Sequence, residues 1–163
     1  SGNNASTDLN LFQDTAPTSS VFYLSGDGNI NGTENIIAYC FAEKKGYSKF
    51  GSYTGNGNAD YSPFIYTGFK PSFIMVKNHT NAGYNWIIQD NKRDTFNPLD
   101  RYIYPNTSGA EAESSTYNLD FYSTGFKPRN TRSETNDANN GYIYMAFAES
   151  PFVSSGGIPT TAR

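Results

Sequence analysis

Ile143-Tyr144-Met145-Ala146-Phe147-Ala148-Glu149, near the end of the chain, rewrites an earlier stretch, Ile37-Ala38-Tyr39-Cys40-Phe41-Ala42-Glu43. Both read as β-strands. Residues 36–42, like Phe73-Ile74-Met75-Val76, are apolar on both faces, as central strands of a sheet are. A second echo lies between the copies, where Thr67-Gly68-Phe69-Lys70-Pro71 returns as Thr124-Gly125-Phe126-Lys127-Pro128. Internal self-similarity marks a supersecondary unit used more than once. Duplicated β units build scaffolds and binding surfaces, whereas an active site is built once, so the echo points away from an enzyme.

The rest of the chain extends this pattern. No segment sustains the i, i+3, i+4, i+7 apolar spacing of a helix. Short period-2 runs bounded by Gly, Asn, Asp, Ser and Pro recur instead, at 21–24, 63–66, 85–89, 102–104 and 142–148. In the run from Tyr117 to Tyr122, Tyr117, Leu119 and Phe121 face one side while Asn118, Asp120 and Tyr122 face the other. Asn31-Gly32, Asn56-Gly57 and Asn140-Gly141 are turn pairs, and the last, directly before Tyr142, reads as a hairpin turn. In each TGFKP copy the glycine permits a bend, the phenylalanine plugs the core and the proline fixes φ. The expected fold is therefore all-β, an antiparallel β-sandwich of jelly-roll or concanavalin-like type with little or no helix.

Composition agrees. Aromatic residues make up 16% of 163, with Tyr 13 and Phe 12 but one Trp, which suits pleated, half-buried surfaces. Only 17% of residues are charged, and the net charge is −3 with no cluster among the 12 Lys and Arg. That lacks the basic footprint of a nucleic-acid binder, and no apolar stretch has the length of a membrane-spanning helix. The lone cysteine, Cys40, sits in an apolar run and reads as a small buried hydrophobe.

The echo also suggests an organisation. Residues 1–50 read as the closing strand pair of a preceding unit plus an irregular N-terminal segment. Residues 51–152 read as one complete sandwich unit, and 153–163 as a flexible tail.

The run Ala16-Pro17-Thr18-Ser19-Ser20-Val21-Phe22, the IAYCFAE strand and Gly46-Tyr47-Ser48-Lys49-Phe50-Gly51-Ser52-Tyr53-Thr54-Gly55-Asn56-Gly57 resemble a recurrent module of bacteriophage virion proteins. YTGFKPSFIMVK (66–77), a Trp-containing strand, Arg93-Asp94 and YIYMAFAESPF (142–152) continue the likeness in order over nearly the whole chain. The resemblance implies a β-sandwich in a tail fibre or related virion appendage of aquatic phages, found in the virion and assembled with other virion subunits. It implies no catalytic residues. By analogy with tail fibres the oligomer is a homotrimer.

Candidate sites are few. Asp27, Asn29 and Asn31, ahead of Gly32, match the first half of a calcium loop, but the twelfth position is Ala38 where a bidentate Glu belongs. A plain Asn-Gly turn accounts for the stretch, so no cofactor is expected. Asp90, Asp94, Asp100, Glu111, Glu113 and Asp120 are the carboxylates a glycosidase would draw on, yet all sit among polar loop residues and read as solvated surface. His79, the one histidine, lies in a turn-like linker and reads as an exposed loop residue. Tyr84, Trp86, Asp90 and Arg93 combine aromatic faces with hydroxyl-binding groups and form the candidate glycan contact, against the reading of Trp86-Ile87-Ile88 as a core strand. Glu43 and Glu149, at matching ends of the echoed strands, suit a structural pairing with a nearby Lys or Arg. The expected function is a non-enzymatic structural module of a phage appendage contributing to host attachment, with a surface glycan as its ligand. A capsid-decorating or fibre-capping protein is the alternative, and a polysaccharide depolymerase the third reading.

Overall fold

In the computed structural model, the described residues are 15–26, 31–33 and 35–151. They fall in two compact units, one containing residues 5–41 and the other running from Ala42 onward.

Among its described residues the larger unit holds nine strands: β1 (Ser48–Thr54), β2 (Ile65–Tyr66), β3 (Pro71–Asn78), β4 (Ile87–Asp90), β5 (Arg101–Tyr102), β6 (Ala112–Glu113), β7 (Leu119–Tyr122), β8 (Gly125–Pro128) and β9 (Gly141–Ala148). A 3₁₀ turn, Ser115–Tyr117, precedes β7. All pairings are antiparallel. One sheet runs β1-β9-β3-β4, a second β2-β8-β7, and β5-β6 form a short ribbon. The chain is an all-β antiparallel sandwich.

Period-2 alternation decides which side chains meet between the sheets. Ile74 and Val76 of β3, Tyr142, Tyr144 and Ala146 of β9, and Ile87 of β4 face Ile65, Leu119, Phe121 and Phe126 of the smaller sheet in one buried cluster. Aromatic edges join the layers: Phe126 meets Tyr144 at 5.4 Å and Tyr53 at 6.2 Å between ring centroids, both T-shaped. Gln89, fully buried, donates through Nε2 to the carbonyls of Leu99 and Tyr117, each at 3.1 Å. That ties β4 to the β5 and β7 approaches.

The two TGFKP copies lie side by side. The amides of Thr67 and Gly68 donate to the Thr124 carbonyl at 2.9 and 3.1 Å. Phe69 and Phe126 both plug the core as expected. Only Gly68 uses a left-handed backbone, at φ 83°. Gly125 serves close approach, because a Cβ there would lie 2.1 Å from the Ile65 carbonyl oxygen. The Asn140-Gly141 reading needs correction. The positive-φ residue of that turn is Asn139, at φ 63°, and Gly141 starts β9 where a Cβ would lie 2.5 Å from His79 Nε2.

Where the sequence suggested strands at 21–24 and 36–42, the described residues there form no strand. Ile37 and Tyr39 are 76% and 80% exposed, and Cys40 is exposed rather than buried. The physical reason is that pairing makes a strand, not its letters. The same I…FAE sequence in β9 has β1 on one side and β3 on the other. The unit boundary also lies earlier than residue 51, because β1 pairs along its whole length with β9. Ser48 at the start of β1 reaches back, its Oγ donating to the Ala42 carbonyl at 2.8 Å. The segment 153–163 lies outside the described residues, as do Asp27 and Asn29 of the half calcium loop.

Candidate functional site

The outer face of the four-stranded sheet is built from residues of opposite parity to the core. Register partners form rows across it. Phe50, Met145, Met75 and Ile88 make one row, from β1 through β9 and β3 to β4. Ser48, Phe147, Phe73 and Asp90 make the row on one side, and Ser52, Ile143 and Lys77 the row on the other. Both methionines of the chain therefore stand opposite one another. Trp86, the only tryptophan, precedes Ile88 by two residues and joins the same face. Trp86, Met75, Met145, Ile143, Tyr144 and Phe50 line an open groove of about 540 Å³.

Antiparallel sheets commonly put polar residues on the face away from the core, so a face of Phe, Met, Ile and Trp departs from the pattern. Methionine is unbranched and polarizable and adapts to irregular partner surfaces. Lys77 belongs to this face by parity, yet it is only 1% exposed. Its Nζ donates to the Tyr84 carbonyl at 2.5 Å, and burial pushes its pKa below the usual lysine value. The Trp86 end is fixed by a short polar chain, in which Asn106 Oδ1 accepts the Trp86 amide at 3.0 Å and its Nδ2 donates to Asn85 Oδ1 at 2.9 Å.

Charges gather at the far rim. Asp90 Oδ1 accepts the amides of Lys92 and Arg93, both at 2.9 Å, and its Oδ2 pairs with the Arg93 guanidinium. Arg93 Nε reaches Glu111 at 2.6 Å. Glu149 pairs with Lys70 at 2.8 Å and accepts from Asn91 Nδ2 at 2.7 Å. Glu43 pairs with Lys49 at 2.8 Å, so both echoed glutamates take the lysine partners expected of them.

The quartet Tyr84, Trp86, Asp90 and Arg93 is thus spread out. Trp86 and Asp90 lie on one face of the same strand path but four residues apart, about 13 Å at roughly 3.3 Å per residue. Asp90 and Arg93 satisfy each other and cap their own turn, and Tyr84 contributes a carbonyl to Lys77. Only Trp86 enters the groove. Trp86 itself is half-buried on the outer face, just before β4, rather than in the core.

Of the six carboxylates considered for hydrolysis, five are ion-paired: Asp90 and Glu111 with Arg93, Asp94 and Glu113 with Arg101, and Asp120 with Arg129. Asp94 also caps the Asp100 and Arg101 amides at 3.0 and 2.8 Å. Asp90, Asp94 and Asp120 are thus largely shielded anchors, whereas Glu111 and Glu113 stay exposed, as solvated surface groups do. His79 is half-buried against Gly141 rather than exposed. Among the described residues no group of three or more His, Cys, Asp or Glu could hold a metal ion, and no helix is long and apolar enough to cross a membrane.

Comparison with known families adds one finding. A family model described as "Domain of unknown function (DUF7483)" matches residues 1–151. The chain belongs to that family. The match runs through both compact units, so the DUF7483 domain includes the 15–41 segment as well as the sandwich. No curated protein and no solved structure matches the chain.

The sequence reading missed Met75 and Met145 as a site, although it marked 73–76 as apolar on both faces. That double-sided pattern was the signal. A strand whose outward residues are as apolar as its inward ones has a second surface to cover.

Proposed function

We propose that this DUF7483 domain is a non-catalytic structural module of a phage virion appendage, a tail fibre, that contributes to host attachment. In this reading it assembles with other copies of itself through the outer face of its four-stranded sheet. The observation that carries the proposal is the apolar row Met145–Met75–Ile88 with Trp86 and Ile143 beside it, on the side of the sheet turned away from the core. Three strands of about seven residues and the four-residue β4, about 4.8 Å apart at about 3.4 Å per residue, span roughly 400 Å² in projection. That is about half the area of about 800 Å² that one partner gives to a standard interface, before the rim loops are added. The rim carries both signs of charge, through Lys70, Glu149, Asp90 and Arg93, so the same face can meet its own copy without like-charge repulsion. The resemblance to virion modules over nearly the whole chain supports the location.

The test is to raise antibody against the chain and label purified particles of a phage that encodes it. Labelling at the tail appendage is the expected result. Labelling confined to the capsid would favour the capsid-decorating alternative, and a particle free of the chain would sink the virion reading altogether.

A further inference from the structure

The geometry points to a binding site for an uncharged saccharide on the outer face of the smaller sheet, opposite the proposed assembly face and independent of it. Ile65, Phe126, Leu119 and Phe121 face the core, so Tyr66, Gly125, Lys127, Asp120 and Tyr122 face outward. Tyr66, Gly125 and Tyr122 share one row. Gly125 has no side chain, and the Phe64 ring occupies the space above it, with Cζ 2.7 Å from where a Cβ would stand. The Phe64 ring in turn meets Tyr122 edge-on, at 5.7 Å between centroids.

Beside this aromatic row opens a polar cavity of about 400 Å³, lined by Asp60, Asn97, Pro98, Asn118, Asp120 and Arg129. Tyr122 links the two features. Its hydroxyl donates to Asp120 Oδ2 at 3.1 Å, and Arg129 Nη1 donates to the same oxygen at 3.0 Å. All the hydrogen bonds Asp120 accepts from side chains among the described residues fall on Oδ2. Arg129 is held from behind, its Nε donating to the Ala59 carbonyl at 3.2 Å. Lys127 donates to the Asp60 carbonyl at 2.8 Å. The cavity is therefore a preformed set of donors and acceptors on strand and turn backbone.

Exposed aromatics concentrate around it. Seven large apolar side chains are exposed in the described part of the larger unit, and five belong here: Tyr61 (81%), Phe64 (47%), Tyr66 (66%), Phe96 (83%) and Tyr122 (39%). Tyr61 follows Asp60 and Phe96 precedes Asn97 in the chain, so the backbone of each adjoins a cavity-lining residue. Single exposed hydrophobics need no explanation, but a cluster rimming polar groups marks a binding surface. Rings that present a flat apolar face beside fixed hydrogen-bonding groups match the two sides of a pyranose, whose C–H face stacks and whose hydroxyls pair. Asp60 and Asp120 balance Arg129 and Lys127, and the absence of a positive excess among these groups argues against an anionic sugar.

The test uses the whole chain on an array of uncharged and anionic oligosaccharides, with Tyr61→Ala/Phe96→Ala as the probe variant. Both side chains are too exposed to support the core, so the melting temperature should not move. The expected result is binding to an uncharged oligosaccharide that weakens at least about tenfold in the variant, roughly 1.4 kcal/mol, and that Met75→Glu leaves intact. Binding to nothing on the array, preference for anionic sugars, or undiminished binding by the variant would overturn the site. Loss of self-association in the variant, with sugar binding absent from the parent, would assign the aromatics to a protein contact and overturn it equally.

Discussion

Replacing Gly141 by alanine separates two accounts of the turn before β9. If Asn140-Gly141 were a two-residue hairpin turn, alanine would fail for want of a left-handed backbone. The structure places the positive φ at Asn139 instead, so alanine at 141 is conformationally permitted. On backbone entropy alone it would stabilise by about 0.4–1 kcal/mol. The obstacle is space: the new Cβ would stand 2.5 Å from His79 Nε2, 2.8 Å from its Cε1 and 3.1 Å from Thr80 Oγ1. The backbone cannot retreat easily, since the Gly141 carbonyl accepts the His79 amide at 3.0 Å and its amide donates to Thr80 Oγ1 at 2.7 Å. Overpacking of this kind costs about 1–3 kcal/mol, and its middle value less that of the entropy gain leaves a net loss of about 1.3 kcal/mol. For a unit of this size each kcal/mol moves the melting temperature by roughly 4 °C, so thermal unfolding followed by circular dichroism should show a drop of about 5 °C. The decisive arm is the His79→Ala background, where the same substitution should cost nothing or stabilise. An undiminished loss in that background would refute the steric account and restore the turn reading.

Two further outcomes follow from the core and from the smaller unit. Burial holds the Tyr104, Tyr117 and Tyr144 hydroxyls above their usual value and pushes Tyr142 up to about 12. An unfolded tyrosine ionises near 10, so between pH 10 and 12 the native state binds more protons. Stability from these groups is therefore complete below pH 10 and declines as pH rises through that window. Denaturant titrations at stepped pH should show this, and a flat profile from pH 9 to 12 would contradict it. Cys40, exposed in its unit, should react in full with a thiol reagent without denaturant; protection until unfolding would show that it is buried after all.

The fold was legible where alternation was strong. Tyr117, Leu119 and Phe121 were placed on one side and Asn118, Asp120 and Tyr122 on the other, which is how β7 and its approach lie. The apolar 73–76 run became β3, the 142–148 run became β9, and both TGFKP phenylalanines entered the core. Strands β1, β6 and β8 escaped notice for physical reasons. Ser48–Thr54 is mostly polar and small, so only its pairing with β9 makes it a strand, and β6 has two residues. The echoed stretch at 36–42 misled in the opposite sense, because strand-like residues that pair with no neighbouring strand stay exposed.

Sites were harder to see. Trp86 stood out by rarity, but its partners Met75 and Met145 meet through register, which sets β9 beside β3 although 145 − 75 = 70 positions separate the two methionines. Asp90 and Arg93 looked like a free polar pair, and three residues' separation lets them bond to each other. The Phe64–Tyr122–Asp120–Arg129 constellation joins three short segments whose proximity depends on β2 and β7 flanking β8. Nothing in their local sequence sets them apart from the chain's other aromatics.

The molar mass of the intact chain in solution, set beside that of Met75→Glu and Met145→Glu, tests the assembly claim most directly. A carboxylate in the middle of an apolar interface carries a desolvation cost that one on an open surface does not. The account predicts an oligomer for the parent chain, a monomer for both variants, and unchanged melting of the variant monomers' sandwich. A parent chain that stays monomeric at tens of micromolar, or variants that oligomerise as it does, would contradict it.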